Sequence, residues 1–320
     1  MKTSLLPSIT ICFTVLLLTF SFGYGQVTSH KSSQYDSVTL ITLTDGSTLI
    51  GNIMEQYDSI IILETKNIGR VTLAAGNVKQ IQTVAASNFK EDGYWFPNSN
   101  ATRYLLSPSG FNLRKGEGYY QNTYLLFNAA YVGVSKNVSI GGGFEFFSLF
   151  AGHNPMLFLN TKAGFKVAEK VNLAAGILYV RIPQFSSWGE NPPADNDVMM
   201  YGLGTYGTPD NNITLGVGYG LNLNRGECMK KPVFSISGMT RVGRKVSLIS
   251  ENWLVPGEKQ SVPTSPDFET TATYPLHLFV TYGVRFMGEK VSVDLACINS
   301  KEIAQAIFIG VPYVDFVVKF

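Results

Sequence analysis

The sequence predicts an all-β chain: an antiparallel transmembrane β-barrel of about twelve strands, preceded by a small β module. Three observations carry this. Charged residues are 15% of the 320 residues, against roughly 25% in soluble domains. No apolar run after residue 25 approaches the ~18 residues of a membrane helix, and lipid offers backbone polar groups no partner, so a closed barrel is the remaining way to cross. From residue 101 to the end, apolar and small polar residues alternate with period two between turn signals.

Residues 1–25 have the layout of a secretory signal. Lys2 is the positive start, residues 9–20 the apolar core, and Gly23-Tyr24-Gly25 the small-x-small site before Gln26. Cys12 sits inside the apolar core, away from the cleavage site, which argues against a lipoprotein. Cys228 and Cys297 are then too few for a disulfide scaffold. Residues 26–35 are a polar lead-in.

Residues 36–84 form the expected small module. Val38 to Leu43 is a strand leading into Asp45-Gly46, a strong hairpin signal. Four short strand-like stretches follow. This pattern, with Gly51, Ile60-Ile61-Ile62-Leu63 and Val78-x-x-Ile81, resembles the SH3-like or Sm-like small barrels. Nucleic acid is not expected as a partner. Asp36, Asp45, Glu55, Asp58 and Glu64 outnumber Lys66, Arg70 and Lys79, where phosphate contacts need Lys and Arg, and the whole chain carries a net charge of only +2. Residues 85–100 are read as a linker, and 101–320 as the barrel.

Within the barrel, very short connections at residues 135–137, 168–170, 208–211, 243–245 and 288–289 alternate with longer polar ones at 151–155, 183–197, 225–232, 255–272 and 298–305. Outer-membrane barrels have this asymmetry, short turns on the periplasmic side and long loops outside. Five short turns join ten strands, and a closing strand makes eleven. Residues 102–107 are taken as the twelfth, crossing first, with 110–118 as an external loop.

Composition orients the strands. One parity carries Thr123, Leu125, Phe127, Ala129 and Tyr131, then Ile140, Leu159, Phe165, Leu173, Ile177, Leu215, Leu278 and Phe286. The other is rich in Gly, Asn, Ser and Thr, too weakly charged for a solvated exterior. The apolar parity is therefore expected to face lipid and the polar one a narrow lumen. This places Arg103, Glu145, Lys162, Lys166, Arg241, Arg285, Asp294, Asp315 and Lys319 inward, with Arg285 opposite Ser292 and diagonal to Asp294. The strand over 246–255 resists assignment, because Glu251 and Trp253 share a face.

The last stretch, 307–320, closes the pattern. Pro312, Val314, Phe316, Val318 and Phe320 lie on one wholly apolar parity ending on a C-terminal Phe. It resembles the closing strand of bacterial outer-membrane β-barrels. The chain as a whole resembles an uncharacterised family of such barrels with a small N-terminal β module. The resemblance implies an outer-membrane location, a periplasmic module, and a C-terminal signal of Phe316, Val318 and Phe320 read by the barrel-assembly machinery.

No catalytic, cofactor or metal site is expected. The histidines His30, His153 and His277 stand in no nucleophile–base spacing, so an outer-membrane lipid hydrolase is the least favoured reading. Gly141-Gly142-Gly143 lies mid-strand, where glycine marks a bend or close approach. The expected function is a mostly closed structural or binding platform, with outer-membrane lipid around it and a periplasmic protein meeting residues 36–84. The alternative is a narrow pore favouring anions, from six inward bases against three inward acids.

Overall fold

The computed structural model describes residues 37–90, 93–150, 154–184, 193–257, 259–265, 268–273 and 276–320. The signal and lead-in, with His30 and His153, lie outside them. The described chain divides into two compact units, one ending at Pro97 and one beginning at Asn98.

The first unit holds β1 (Ser37–Leu43), β2 (Thr48–Gln56), β3 (Ile60–Thr65), β4 (Gly69–Ala74) and β5 (Val78–Ala85) in one antiparallel sheet ordered β4-β3-β2-β1-β5. Its core is Ile41, Ile61, Leu63 and Leu73. The Asp45-Gly46 hairpin forms as expected: Gly46 takes φ of 86°, and the Ser47 hydroxyl and amide both donate to Asp45 Oδ1, at 2.7 and 2.8 Å. Those bonds hold the Asp45 carboxyl below its ordinary pKa, the hydroxyl contributing most. A two-strand ladder follows, β6 (Phe89–Lys90) with β7 (Gly93–Tyr94).

The second unit is a closed antiparallel barrel of twelve strands. In chain order they are β8 (Gly118–Thr123), β9 (Phe127–Gly133), β10 (Val138–Glu145), β11 (Leu157–Ala168), β12 (Val171–Ile182), β13 (Asp195–Gly207) and β14 (Asn211–Asn222). After the short β15 (Glu227–Cys228) come β16 (Val233–Gly243) and β17 (Val246–Val255). The loop hairpin of β18 (Lys259–Ser265) and β19 (Phe268–Thr273) precedes β20 (His277–Met287), β21 (Val291–Asn299) and β22 (Val311–Lys319). Each of the twelve pairs with its neighbour, and β22 closes the ring on β8, with Lys319 facing Tyr119 and Asp315 facing Thr123. A four-residue helix, α1 (Phe147–Phe150), and a six-residue one, α2 (Lys301–Ala306), sit in two of the long connections. Ser300 caps α2, its hydroxyl accepting from the Ile303 amide at 3.2 Å.

The strand count matches the expectation, but its first members differ. Residues 102–107 are not a crossing strand. The stretch 119–134 instead hides a hairpin, β8 to β9, through Tyr124-Leu125-Leu126. Tyr124 and Leu125 both adopt left-handed backbone, φ 54° and 63°, and the Leu126 amide donates to Thr123 O at 3.1 Å. This is the turn that matches strand twist, normally built from Asn-Gly or Gly, so two apolar residues gave no sign of it. Because this turn lies at the long-loop end, β8 starts at the short-turn end, and no earlier crossing is needed.

The expected parity holds over most of the wall. Ile140, Leu159, Phe165, Leu173, Ile177, Leu215, Leu278 and Phe286 are exposed on the outside. It fails in the first hairpin: Thr123 and Ala129 are buried and, with Phe127 and Tyr131, line the interior. The mid-strand glycines serve close approach, as expected. A Cβ on Gly141 would stand 2.1 Å from the Tyr131 ring, so the bare backbone is what lets that ring lie against the inner wall. The hairpin register also corrects one pair: Arg285 faces Asp294 directly, and Ser292 faces Met287.

Leu125 is 79% exposed, and left-handed backbone costs a non-glycine residue about 1–2 kcal/mol. Leu125→Asn, a residue that tolerates this conformation, is therefore expected to raise barrel stability by about 1 kcal/mol. The check is the temperature at which the compact band unfolds on a semi-native gel; a lower temperature for the variant contradicts the turn assignment.

Candidate functional site

The interior of the barrel is built around residues 98–117. The Asn98 amide donates to Pro209 O at 2.8 Å, beside a short turn, and the chain then runs into the lumen and back. The Ser109 N–H donates to Thr102 O at 3.0 Å, Arg103 bridges Pro108, and the Tyr104 N–H donates to Ser107 O at 2.9 Å. The result is a hairpin-like finger with its tip at Leu105 and Leu106. It leaves past Gly110, whose amide donates to Thr205 Oγ1 at 2.7 Å. Asn112 then ties it to the short-turn rim through Asn137 O and Gly164 O, both at 2.7 Å. Gly133 admits the exit: a Cβ there would lie 2.1 Å from Arg114 O.

Three strand side chains hold the finger by its backbone. Glu251 on β17 presents one carboxylate oxygen to three consecutive amides, Leu105, Leu106 and Ser107, at 2.9, 3.0 and 3.0 Å. Its other oxygen accepts from Trp253 Nε1 at 2.8 Å. Arg285 on β20 donates to Tyr104 O at 2.6 Å, Asn100 O at 3.0 Å and Arg103 O at 3.3 Å. Lys162 on β11 donates to Phe111 O at 2.6 Å and Ser109 O at 2.8 Å. Cations take the carbonyls and the anion takes the amides, so the buried peptide groups are satisfied by charges of matching sign.

A four-member ion cluster lies beneath the tip. Arg285 grips Asp294 through two parallel bonds of 2.7 Å. Arg103, on the finger itself, donates to Asp315 at 2.9 Å and Asp294 at 3.2 Å. Gln121 and Tyr313 also donate to Asp315, at 2.7 and 2.9 Å. Arg285, Asp294 and Asp315 are essentially inaccessible. Tyr104 anchors the opposite side, its hydroxyl 2.6 Å from both Asn212 Oδ1 and Thr214 Oγ1.

Of the nine charges expected inside, Arg103, Lys162, Arg285, Asp294 and Asp315 converge here. Arg103 arrives on the finger, not on a strand. Glu145 is buried at the long-loop end, where it accepts from the Ser148 and Met156 amides at 3.0 and 3.1 Å and fixes the loop through α1. Arg241 joins Asp210 at 3.0 Å between two short turns. Lys319 lies at the short-turn rim, 3.6 Å from Glu117, and Lys166 is exposed near the end of its strand. Glu251 was missed. Its sharing a face with Trp253 was the available signal, and both prove to face inward. In the closing strand, Phe316 and Phe320 are exposed outside and Val318 is half-buried, and the Phe320 backbone exchanges two hydrogen bonds with Gly118, at 2.9 and 3.0 Å. His277 points inward on β20 beside the Phe279 ring. Among the described residues, no cluster of three or more His, Cys, Asp or Glu side chains could hold a metal.

Above the finger, towards the long loops, the lumen opens into a cavity of about 530 Å³. Its floor is Leu106 and Pro108, and its wall includes Phe127, Leu178, Met199 and Trp253. The expectation of a uniformly polar lumen is therefore corrected: the polar half is filled by the finger, and the open half is apolar.

No known protein family matches the chain, and no curated protein does. Solved structures do. A NanC porin is 11% identical over 63% of this chain and 96% of its own, with a TM-score of 0.36. A loop-deletion mutant of OmpT, an outer membrane protein of Vibrio cholerae, is 13% identical over 89% and 96%, with a TM-score of 0.35. OmpF of Salmonella typhi, in complex with daunomycin, is 7% identical over 89% and 96%, with a TM-score of 0.30. The assignment of the barrel here rests on its own strand order and surfaces.

If Glu251 holds the tip, Glu251→Ala leaves three buried amides without an acceptor, each costing about 1–3 kcal/mol. The finger is then expected to loosen and expose Arg103. Trypsin should cleave the folded Glu251→Ala protein after Arg103, and leave both the unaltered protein and Glu251→Gln intact at that bond. Protection of Arg103 in Glu251→Ala contradicts the assignment.

Proposed function

We propose that this chain is an outer-membrane barrel closed to solutes, serving as a structural or binding platform. The observation that carries the reading is the finger: residues 98–117 occupy the short-turn half of the lumen, fixed by Glu251, Arg285 and Lys162. The membrane location is supported by the outer wall. Its exposed belt is aliphatic and aromatic, while Lys162, Glu251, Arg285, Asp294 and Asp315 all turn inward and are buried. That is the reverse of a barrel in water. No helix among the described residues is long and apolar enough to cross a membrane.

Five short antiparallel strands in which β5 returns to β1 support the SH3-like reading of the first unit. In this reading the short turns face the periplasm, so the chain that leads into the finger comes from that side. The module is then periplasmic and available to a protein partner, while the long loops face outside.

The pore alternative drew on an excess of inward bases. Around the finger the charges are three cations (Arg103, Lys162, Arg285) and three carboxylates (Glu251, Asp294, Asp315), and this balance favours packing over anion conduction. In planar bilayers the full-length protein is expected to be silent. Replacing residues 100–115 with a short Gly-Ser linker is expected to give steady single-channel steps. Steps from the full-length protein overturn the closed reading.

The assembly role of the C-terminus predicts an asymmetry. Phe320 carries the aromatic end, whereas the Lys319–Glu117 contact is a rim ion pair worth no more than about 1 kcal/mol. Phe320→Ser is expected to reduce heat-modifiable barrel in outer-membrane fractions several-fold, with Lys319→Ser close to the unaltered protein. Equal losses refute the signal.

A further inference from the structure

We propose that the cavity above the finger is a binding site for a neutral lipophile, a molecule dominated by hydrocarbon and of about the size of one medium-length aliphatic chain. Among the 25 described residues that line it, none is Asp, Glu, Lys, Arg or His. The polar groups it does contain are largely engaged within the wall. The Tyr201 hydroxyl donates to Asn160 at 2.8 Å, Trp253 Nε1 to Glu251 at 2.8 Å, and the Tyr313 hydroxyl and Gln121 amide to Asp315. The Tyr124 hydroxyl donates to Pro312 O at 2.7 Å. What remains facing the space is Leu106, Pro108, Phe127, Phe158, Leu178 and Met199. Two of the wall's methionines, Met156 and Met199, adapt readily to ligand shape.

The volume, about 530 Å³, falls within the roughly 300–1,000 Å³ of small-molecule sites. The contrast with the rest of the lumen is the telling point. A barrel interior exposed to water is normally polar, and the lower half of this one is crowded with charge, yet the described residues that line the cavity carry none. A carboxylate or ammonium held against this lining would meet no opposite charge among the described residues and would lose hydration without compensation, so the site disfavours ions. The finger itself finishes the site: Glu251 binds the Leu106 amide, and the Leu106 side chain, 64% exposed, turns into the space as its floor. The inference goes beyond the closed-barrel reading and needs only the finger in place. Because its test measures binding in solution, its failure leaves the conductance result standing, and the reverse also holds.

The test uses the full chain held in an amphipathic polymer, since alkyl detergents would compete for the site. Native mass spectrometry with 1-dodecanol and with dodecanoate compares one chain length in neutral and charged form. The expected result is a one-to-one dodecanol adduct, at least ten-fold tighter than dodecanoate, and lost in the cavity-filling variants Met199→Trp and Leu178→Trp that keep the heat-modifiable band. Should neither variant fold, a brominated dodecanol added to the unaltered protein is expected to quench a fluorescence component absent from Trp253→Phe. No adduct, equal binding of dodecanoate, an adduct surviving in a folded filled variant, or no quenching of that component overturns the proposal.

Discussion

Peptide groups carried into a barrel must find partners there, and that requirement governs the interior of this protein. The finger of residues 98–117 makes few ladder bonds of its own. Its tip amides go to one carboxylate, Glu251, and its carbonyls to Arg285 and Lys162. The dependence is mutual. Arg285 and Glu251 are buried and fixed on strands, so without the finger each would lose most of its partners. Breaking one side of a buried charged contact costs about 3–5 kcal/mol. Finger and barrel therefore stabilise each other through these contacts, the finger gaining more because its peptide groups have few other partners.

The same constraint divides the lumen. Where the finger lies, the walls carry Asn212, Thr214, Thr205, Ser237 and the ion cluster, all buried. Beyond its tip the finger carries no further peptide groups to satisfy, and the described inner wall becomes Phe127, Leu178, Met199 and Leu203. Alternation along a strand still holds, but the inward parity changes character partway up. On β13 the inward series runs Thr205, Leu203, Tyr201, Met199, from polar near the short turn to apolar towards the loops. Composition along one parity thus records depth in the barrel as well as direction.

Much of this was legible in the sequence. Turn spacing gave the alternation of short and long connections, because the short turns at 135–137, 208–211 and 243–245 cluster Asn, Asp, Gly and Lys between apolar strands. Outward parity was readable on β10, β11, β12, β14 and β20, where Ile140, Leu159, Leu173, Leu215 and Leu278 repeat without a break. Inward Arg285, Asp294 and Asp315 stood out as charges amid apolar strands. The finger did not stand out, for a physical reason: residues 102–109 bridge across as a short hairpin, so their composition is that of a strand. The β8–β9 turn escaped because Tyr124 and Leu125 pay a backbone cost that turn statistics assign to Gly and Asn. These two misreadings cancelled in the count, one false strand replacing one hidden strand, which left twelve correct for the wrong reason.

Charge balance completes the argument about what the lumen does. A tally of inward residues by parity alone gives six bases and three acids, and such an excess would attract anions along a water path. Placement changes the tally. Arg241 is committed to Asp210 between turns, Lys319 to Glu117 at the rim, and Lys166 is exposed, while Glu251 joins the acids within. What remains around the finger is neutral in sum, and each charged group is engaged by the finger's backbone or by a counter-ion. A site evolved for ion flow needs charges that face water and release their ligands. These face a fixed peptide segment and hold it. The chemistry of the polar half is that of attachment, and the open space of the lumen lies in the apolar half above it.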